Sequence, residues 1–102
     1  MQAKSQQDIP QELLHLRERI DHIDEEILSA LKRRFEITSK VGQLKAEHGL
    51  DSVDPAREQE KLQRLSQLAE QNGLNSHFVH QLFQLLFNEV VRNHRSFVRS
   101  GG

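Results

Sequence analysis

An apolar stripe with heptad spacing runs through the first half of this sequence, and one of its positions holds an arginine. That residue is Arg34, a permanent cation where a helix seam normally carries a core side chain. Because a buried guanidinium needs an anion close to it, Arg34 is the first candidate for a binding role. The seam positions are Leu13, Leu16, Ile20, Ile23, Ile27, Ala30, Arg34, Ile37, Val41 and Leu44.

The stripe lies on one predicted helix that begins after Pro10 and ends near His48-Gly49, with Gly42 as the only glycine inside it. About 37 residues of helix span about 55 Å, whereas a compact domain of about 100 residues measures only about 35 Å across. One chain cannot cover such a helix. A symmetric homodimer, in which each long helix packs along the other chain, is the simplest arrangement that does.

Composition excludes several classes of function. The 102 residues include no cysteine, so the sequence offers neither disulfides nor thiol chemistry, and an intracellular, cytoplasmic location is expected. The first residues lack the apolar core of a signal peptide, and no stretch is long and apolar enough for a membrane span. With 14 basic and 15 acidic residues spread along the chain, nucleic acid is not an expected partner.

Two further helices complete an all-α fold of three helices per chain. Asp54-Pro55 predicts the start of the second helix and Asn72-Gly73 its end. The third is predicted to begin at Asn75 or Ser76. We expect a disordered extension over residues 1–10, a domain over residues 11–98 and a frayed tail over residues 99–102. The predicted buried stripes are Leu62, Leu65, Leu68 and Ala69 on the second helix, and Phe78, Val79, Leu82, Phe83, Leu86, Val90 and Phe97 on the third.

Two cations of the long helix are placed to share a face. Lys45 follows Arg34 by close to three whole turns, so the two lie about 16 Å apart along the axis and could hold the two ends of a small anion. Arg17 lies about 25 Å from Arg34 and roughly 100° around the helix. It cannot serve the same site within one chain, but in an antiparallel dimer it could reach the partner's site. Helical ion pairing on the surface is the competing interpretation for Arg17 and Lys45.

Polar candidates also occur on the other two helices. Arg57 and Glu58 lie in the first turn of the second helix, beside free backbone donors and the positive end of the helix dipole, while Asp54 is chiefly a cap. On the third helix, His94 continues the apolar stripe one turn after Val90. A histidine there is either a hydrogen-bonded core residue or part of a site. No set of side chains with metal-ligand spacing appears, and no metal or cofactor is expected.

Taken together, these residues resemble the all-helical AroQ-class chorismate mutases. The resemblance covers about residues 12–97, and the spacing of the candidate residues agrees with the active-site pattern of that family. The motifs that carry it are Leu16-Arg17-Glu18-Arg19-Ile20-Asp21-His22-Ile23-Asp24, then Arg34, then Val41-Gly42-Gln43-Leu44-Lys45, then Asp54-Pro55-Ala56-Arg57-Glu58-Gln59-Glu60.

The resemblance implies an intertwined homodimer that rearranges chorismate to prephenate by a concerted [3,3] shift, with no cofactor. It implies that Arg17 of the partner and Arg34 hold the substrate carboxylates, and that Lys45 stabilises charge on the ether oxygen. Arg57 would support the anionic pocket. Glu58, with the region of Asp54, would receive the ring hydroxyl.

The third helix departs from the family pattern. The family usually has serine and glutamine where this chain has Val90 and His94, and that glutamine donates a hydrogen bond to the ether oxygen. Our hypothesis is that His94 replaces it as the second donor. Alternatives are a same-fold enzyme for a related substrate, either a 4-amino-4-deoxychorismate mutase or an isochorismate-pyruvate lyase, and a non-catalytic regulatory or dimerisation module. The last alternative is a coiled-coil dimer with a purely structural role.

Overall fold

A computed structural model of the chain describes the backbone of residues 9–101 and the side chains of residues 9–95. It contains three helices: α1 (Gln11–Glu47), α2 (Pro55–Gln71) and α3 (Ser76–Gly101). The described backbone has no strand. The prediction of an all-α fold with one very long first helix is therefore confirmed. The Phe97 side chain, Gly102 and nearly all of the N-terminal extension lie outside these residues, and the predicted disorder at both ends stays a prediction.

Local chemistry at the chain turns explains where the helices stop. After α1, Gly49 adopts a φ of 66°, which is a left-handed conformation that glycine reaches without strain. The Gly49 N–H donates to the Ala46 carbonyl and the Leu50 N–H to the Lys45 carbonyl, at 3.2 and 2.7 Å. This is the Schellman arrangement, which satisfies carbonyls that the helix leaves open. Gly73, with a φ of 69°, ends α2 in the same way.

Side-chain caps start the second and third helices. Asp54 Oδ1 accepts a hydrogen bond from the Arg57 backbone N–H at 3.1 Å, and Pro55 occupies the first turn. Asn75 Oδ1 accepts from the Phe78 N–H at 2.9 Å. Each cap satisfies a backbone donor that has no partner within the helix. The predicted helix starts are thus confirmed, including the assignment of Asp54 as a cap.

The chain divides into two compact units, residues 1–34 and residues 35–102. In the second unit α2 and α3 pack against each other. Phe83 and Phe87 meet edge to face, with ring centroids 6.4 Å apart. The buried apolar residues of this core are Leu62, Ala69, Val79 and Phe87.

Three residues of the predicted stripes are exposed instead: Leu68, Phe78 and Leu82. Periodicity indicated an apolar face that is broader than the contact between α2 and α3. These side chains lie on the part of that face which the single chain leaves uncovered. None of the described helices combines the length and the apolar character that a bilayer crossing requires.

Candidate active site

A hydrogen bond of His94 links α3 to α1. His94 is only 5% exposed, and its Nε2 lies 2.7 Å from the backbone carbonyl oxygen of Thr38. A carbonyl oxygen can only accept, so Nε2 must carry the proton that it donates. The other ring nitrogen, Nδ1, is buried and has no hydrogen-bond partner among the residues that the structure describes. A buried polar atom without a partner is uncommon and calls for an explanation.

Gly42 makes this contact possible. A Cβ atom at this position would stand 2.5 Å from Cδ2 of His94, 2.8 Å from Nε2 and 3.0 Å from Cγ. Distances this similar to three neighbouring ring atoms place the Cβ over the face of the imidazole. The helix backbone at Gly42 therefore lies directly against the ring, and any side chain there would displace it.

Replacing Gly42 with alanine is expected to destabilise the protein. In most helix positions this change gains about 1 kcal/mol, because alanine is the better helix former. Here the added methyl group overpacks the contact with His94, which typically costs about 1–3 kcal/mol. Urea unfolding of Gly42→Ala measures whether the free energy of unfolding falls or rises. The control is Gln43→Ala, at the exposed neighbouring position. A more stable Gly42→Ala protein would show that the ring is not held against α1.

A cavity of about 180 Å³ opens beside this contact. Of the predicted site residues, His94 lines it and the other seven do not. Its lining residues are Phe35, Thr38, Ser39, Gly42, Asn93 and His94.

Lys45 follows Thr38 by seven residues, which places both on nearly the same face of α1, two turns apart. Lys45 is half-buried in the last turn of the helix, where a cation interacts favourably with the helix dipole. Val90 is half-buried one turn before His94. The face of α1 that carries Lys45 is therefore the face that His94 contacts through Thr38.

The start of α2 supplies a second polar group of residues. Glu58 is half-buried, whereas Asp54 and Arg57 are exposed. The Glu58 backbone N–H donates to the Asp54 carbonyl oxygen at 3.0 Å, which closes the first turn. Backbone donors and the positive end of the helix dipole suit this turn to a polar or anionic ligand group.

The two remaining candidates belong to the first unit. Arg17 is exposed, and Arg34 is half-buried. Burial lowers the pKa of the Arg34 guanidinium from its ordinary value, because a charged group loses hydration. Arginine is nevertheless not deprotonated in proteins, so Arg34 is a cation at neutral pH. Among the described residues, no group of three or more histidine, aspartate or glutamate side chains is placed to hold a metal ion.

Comparison with known proteins decides the family. Residues 16–95 match the family model described as chorismate mutase type II. The chain belongs to this family. The matched range contains all eight candidate residues that the sequence indicated, from Arg17 to His94, and the resemblance to the AroQ class is confirmed.

Several relatives of this chorismate mutase family member are much longer chains, and some of them are named as bifunctional. It is 33% identical to the bifunctional chorismate mutase/prephenate dehydratase of Escherichia coli K12 over 85% of its own length and 22% of that relative. It is 32% identical to the T-protein of Haemophilus influenzae over 83% of its length and 22% of the relative. The chain thus spans about a fifth of these relatives.

A relative of similar length is named as a mutase of a different compound. The 4-amino-4-deoxychorismate mutase of Streptomyces venezuelae is 27% identical over 79% of either protein. The name of this relative matches one of the alternatives that the sequence left open.

The sequence did not predict a place in the site region for Thr38 or Gly42. Thr38 contributes only its backbone carbonyl, which no sequence pattern indicates. Gly42 did carry a signal, because it is the one glycine in a helix of 37 residues. A glycine inside a helix costs stability and usually has a packing or functional reason.

Proposed function

We propose that this chain catalyses the rearrangement of chorismate to prephenate. The observation that carries the proposal is the match of residues 16–95 to the chorismate mutase type II family, with every candidate polar residue inside the matched range. The family resemblance and the absence of cysteine, which fits a reducing compartment, support a cytoplasmic location.

The residues suit a concerted reaction that needs no cofactor. A flexible dianion must be folded into a compact conformation before its ends can react, and fixed cations that hold both carboxylates supply that orientation. In this proposal Arg34 and the partner's Arg17 hold the carboxylates, and Arg57 supports them. As the ether bond breaks, charge grows on the oxygen, and a cation fixed there stabilises the transition state more than the ground state. We assign that role to Lys45.

The ring hydroxyl of the substrate is assigned to the start of α2. Glu58 is half-buried there, and a carboxylate accepts a hydrogen bond from a hydroxyl group. Asp54 holds the turn through its cap, so its part in binding is to fix the position of Glu58 and Arg57. Val90 supplies an apolar wall beside His94.

A second copy of this chain is the proposed partner. The α1 seam residues of the single chain are 39% to 62% exposed, although they are apolar and regularly spaced. Exposed apolar stripes of this length mark interaction surfaces. The exposed seam residues are Leu13, Leu16, Ile20, Ile23, Ile27, Ile37, Val41 and Leu44. Packing against a second α1 would cover them and bring the exposed Arg17 of one chain to the site of the other.

The structure sets a condition on the proposed role of His94 as the second donor to the ether oxygen. Nε2 donates to Thr38, so a bond to the ether oxygen would come from Nδ1, and the ring would have to carry both protons. The two carboxylates of the bound substrate would favour that charge.

We therefore expect His94→Gln to keep most of kcat/KM, because an amide group also donates a hydrogen bond, and we expect His94→Ala to be slow. Steady-state assays of the three proteins measure this. A His94→Ala protein with the kcat/KM of the wild type would contradict the role of His94.

A second substrate is favoured by the relative from Streptomyces venezuelae, named a 4-amino-4-deoxychorismate mutase. Glu58 could accept a hydrogen bond from an amino group as readily as from a hydroxyl group. Side-by-side assays with chorismate, the 4-amino analogue and isochorismate separate the candidates by kcat/KM. The proposal requires chorismate to be the best substrate. A preference for either of the others would replace it.

A further inference from the structure

The contact between Gly42 and His94 has a use beyond packing. We propose that Gly42 is a positioning residue for His94: it lets the imidazole lie on α1, fixes the proton on Nε2, and leaves Nδ1 as the ring atom that contacts the substrate. The contact between Nδ1 and the substrate rests on the proposed function, whereas the position of the ring and of its proton does not.

Two contacts with α1 set the geometry of the His94 ring. The face of the imidazole lies on the backbone of Gly42, and Nε2 reaches the Thr38 carbonyl at 2.7 Å. Both contacts are made with α1, one turn apart. Together they fix where the ring lies and how it is rotated.

The hydrogen bond to Thr38 sets which ring nitrogen carries the proton. With Nε2–H held by a carbonyl, the neutral ring has its lone pair on Nδ1. The two nitrogens of an imidazole point in nearly opposite directions, so Nδ1 is directed away from the Thr38 carbonyl. A fixed hydrogen bond at one ring nitrogen commonly decides what the other nitrogen can do.

The other ring nitrogen, Nδ1, is buried. His94 is only 5% exposed, and Nδ1 has no hydrogen-bond partner in the described part of the chain. Leaving a buried polar atom unpaired costs free energy. Donation to the ether oxygen of the substrate, with the second ring proton that the proposed function requires on Nδ1, would remove this cost, and the buried ring would meet that oxygen in a fixed orientation.

Nuclear magnetic resonance of the ¹⁵N-labelled histidines tests the ring directly. His94→Gln identifies the His94 signals, because they disappear in that variant. In the uncharged ring, we expect Nε2 to be the protonated nitrogen and Nδ1 the bare one. Adding prephenate should shift the Nδ1 signal and leave the Nε2–H signal in place. A proton on Nδ1 in the free protein, or an Nδ1 signal that prephenate does not move, would overturn the inference.

Steady-state kinetics tests whether Gly42 acts through His94. Gly42→Ala should lower kcat/KM at least tenfold and lose the Nε2–H signature, while Gln43→Ala should change neither. In the His94→Gln background, Gly42→Ala should cost less than threefold, because a flexible amide can move away from the added methyl group. An equal loss in both backgrounds would mean that Gly42 does not act through His94 and would overturn the proposal.

Failure of the inference and failure of the proposed function give different results. If the wild-type protein forms no prephenate, the proposed function fails, while the signals of free His94 still decide the position of its proton. If the wild-type protein is active and Gly42→Ala keeps its full kcat/KM, the inference alone fails. Should Gly42→Ala not fold, the double variant Gly42→Ala/His94→Gln and the wild-type spectra still decide.

Discussion

Replacing Lys45 with alanine is expected to lower kcat/KM for chorismate by about 10²–10³-fold, with most of the loss in kcat. This is the usual cost of removing one preorganised group that stabilises charge in a transition state. The loss falls on kcat because the ether oxygen gains its negative charge only as the bond breaks. Steady-state assays of chorismate consumption measure both constants.

Lys40 provides the matched control for this prediction. It is an exposed lysine on the same helix, five residues before Lys45 and on another face. Lys40→Ala removes the same charge from α1 and should leave kcat and KM within about twofold of the wild-type values, since surface substitutions seldom matter. Equal losses in the two variants would mean that net charge, and not a fixed cation at the ether oxygen, explains the effect.

Mixing two inactive variants should restore activity if Arg17 serves the partner's site. In a dimer of one Arg17→Ala chain and one Lys45→Ala chain, one site lacks both side chains and the other is intact. Random exchange makes about half of the dimers mixed, and half of their sites are whole, so we expect about one quarter of the wild-type activity. The two variants are unfolded together, refolded and assayed against each variant treated alone.

The control is a pair of variants whose defects belong to the same chain's site. Lys45→Ala and Glu58→Ala, refolded together, leave one defect in each site of a mixed dimer. Their mixture should show no more than the average of the separate activities. If Arg17→Ala and Lys45→Ala also give only that average, Arg17 does not act across the dimer.

Local chemistry made the helices predictable. Asp54 and Pro55 cap and begin α2, and Gly49 and Gly73 adopt the left-handed conformation that ends a helix. These effects act within a few residues, so the sequence contains all the information that they need. The same is true of Glu58, whose place in the first turn follows from the cap before it.

Tertiary contacts were predictable only in part. Periodicity places Phe78 and Leu82 on the apolar face of α3, yet both are exposed in the single chain. Periodicity identifies an apolar face but not the surface that packs against it. His94 was recognised as an unusual residue of the inner stripe. Its partner Thr38 was not, because a hydrogen bond between residues 56 apart depends on how α3 approaches α1. A backbone carbonyl has no sequence signature at all.

The most direct test of the account is the conversion of chorismate by the purified wild-type chain. Absorbance follows the loss of chorismate, and product analysis identifies what replaces it. We expect prephenate as the product, formed at a rate proportional to protein concentration, with Lys45→Ala purified in the same way as the control. Loss of chorismate no faster than in buffer would contradict the account, as would a rate that the Lys45→Ala preparation shares.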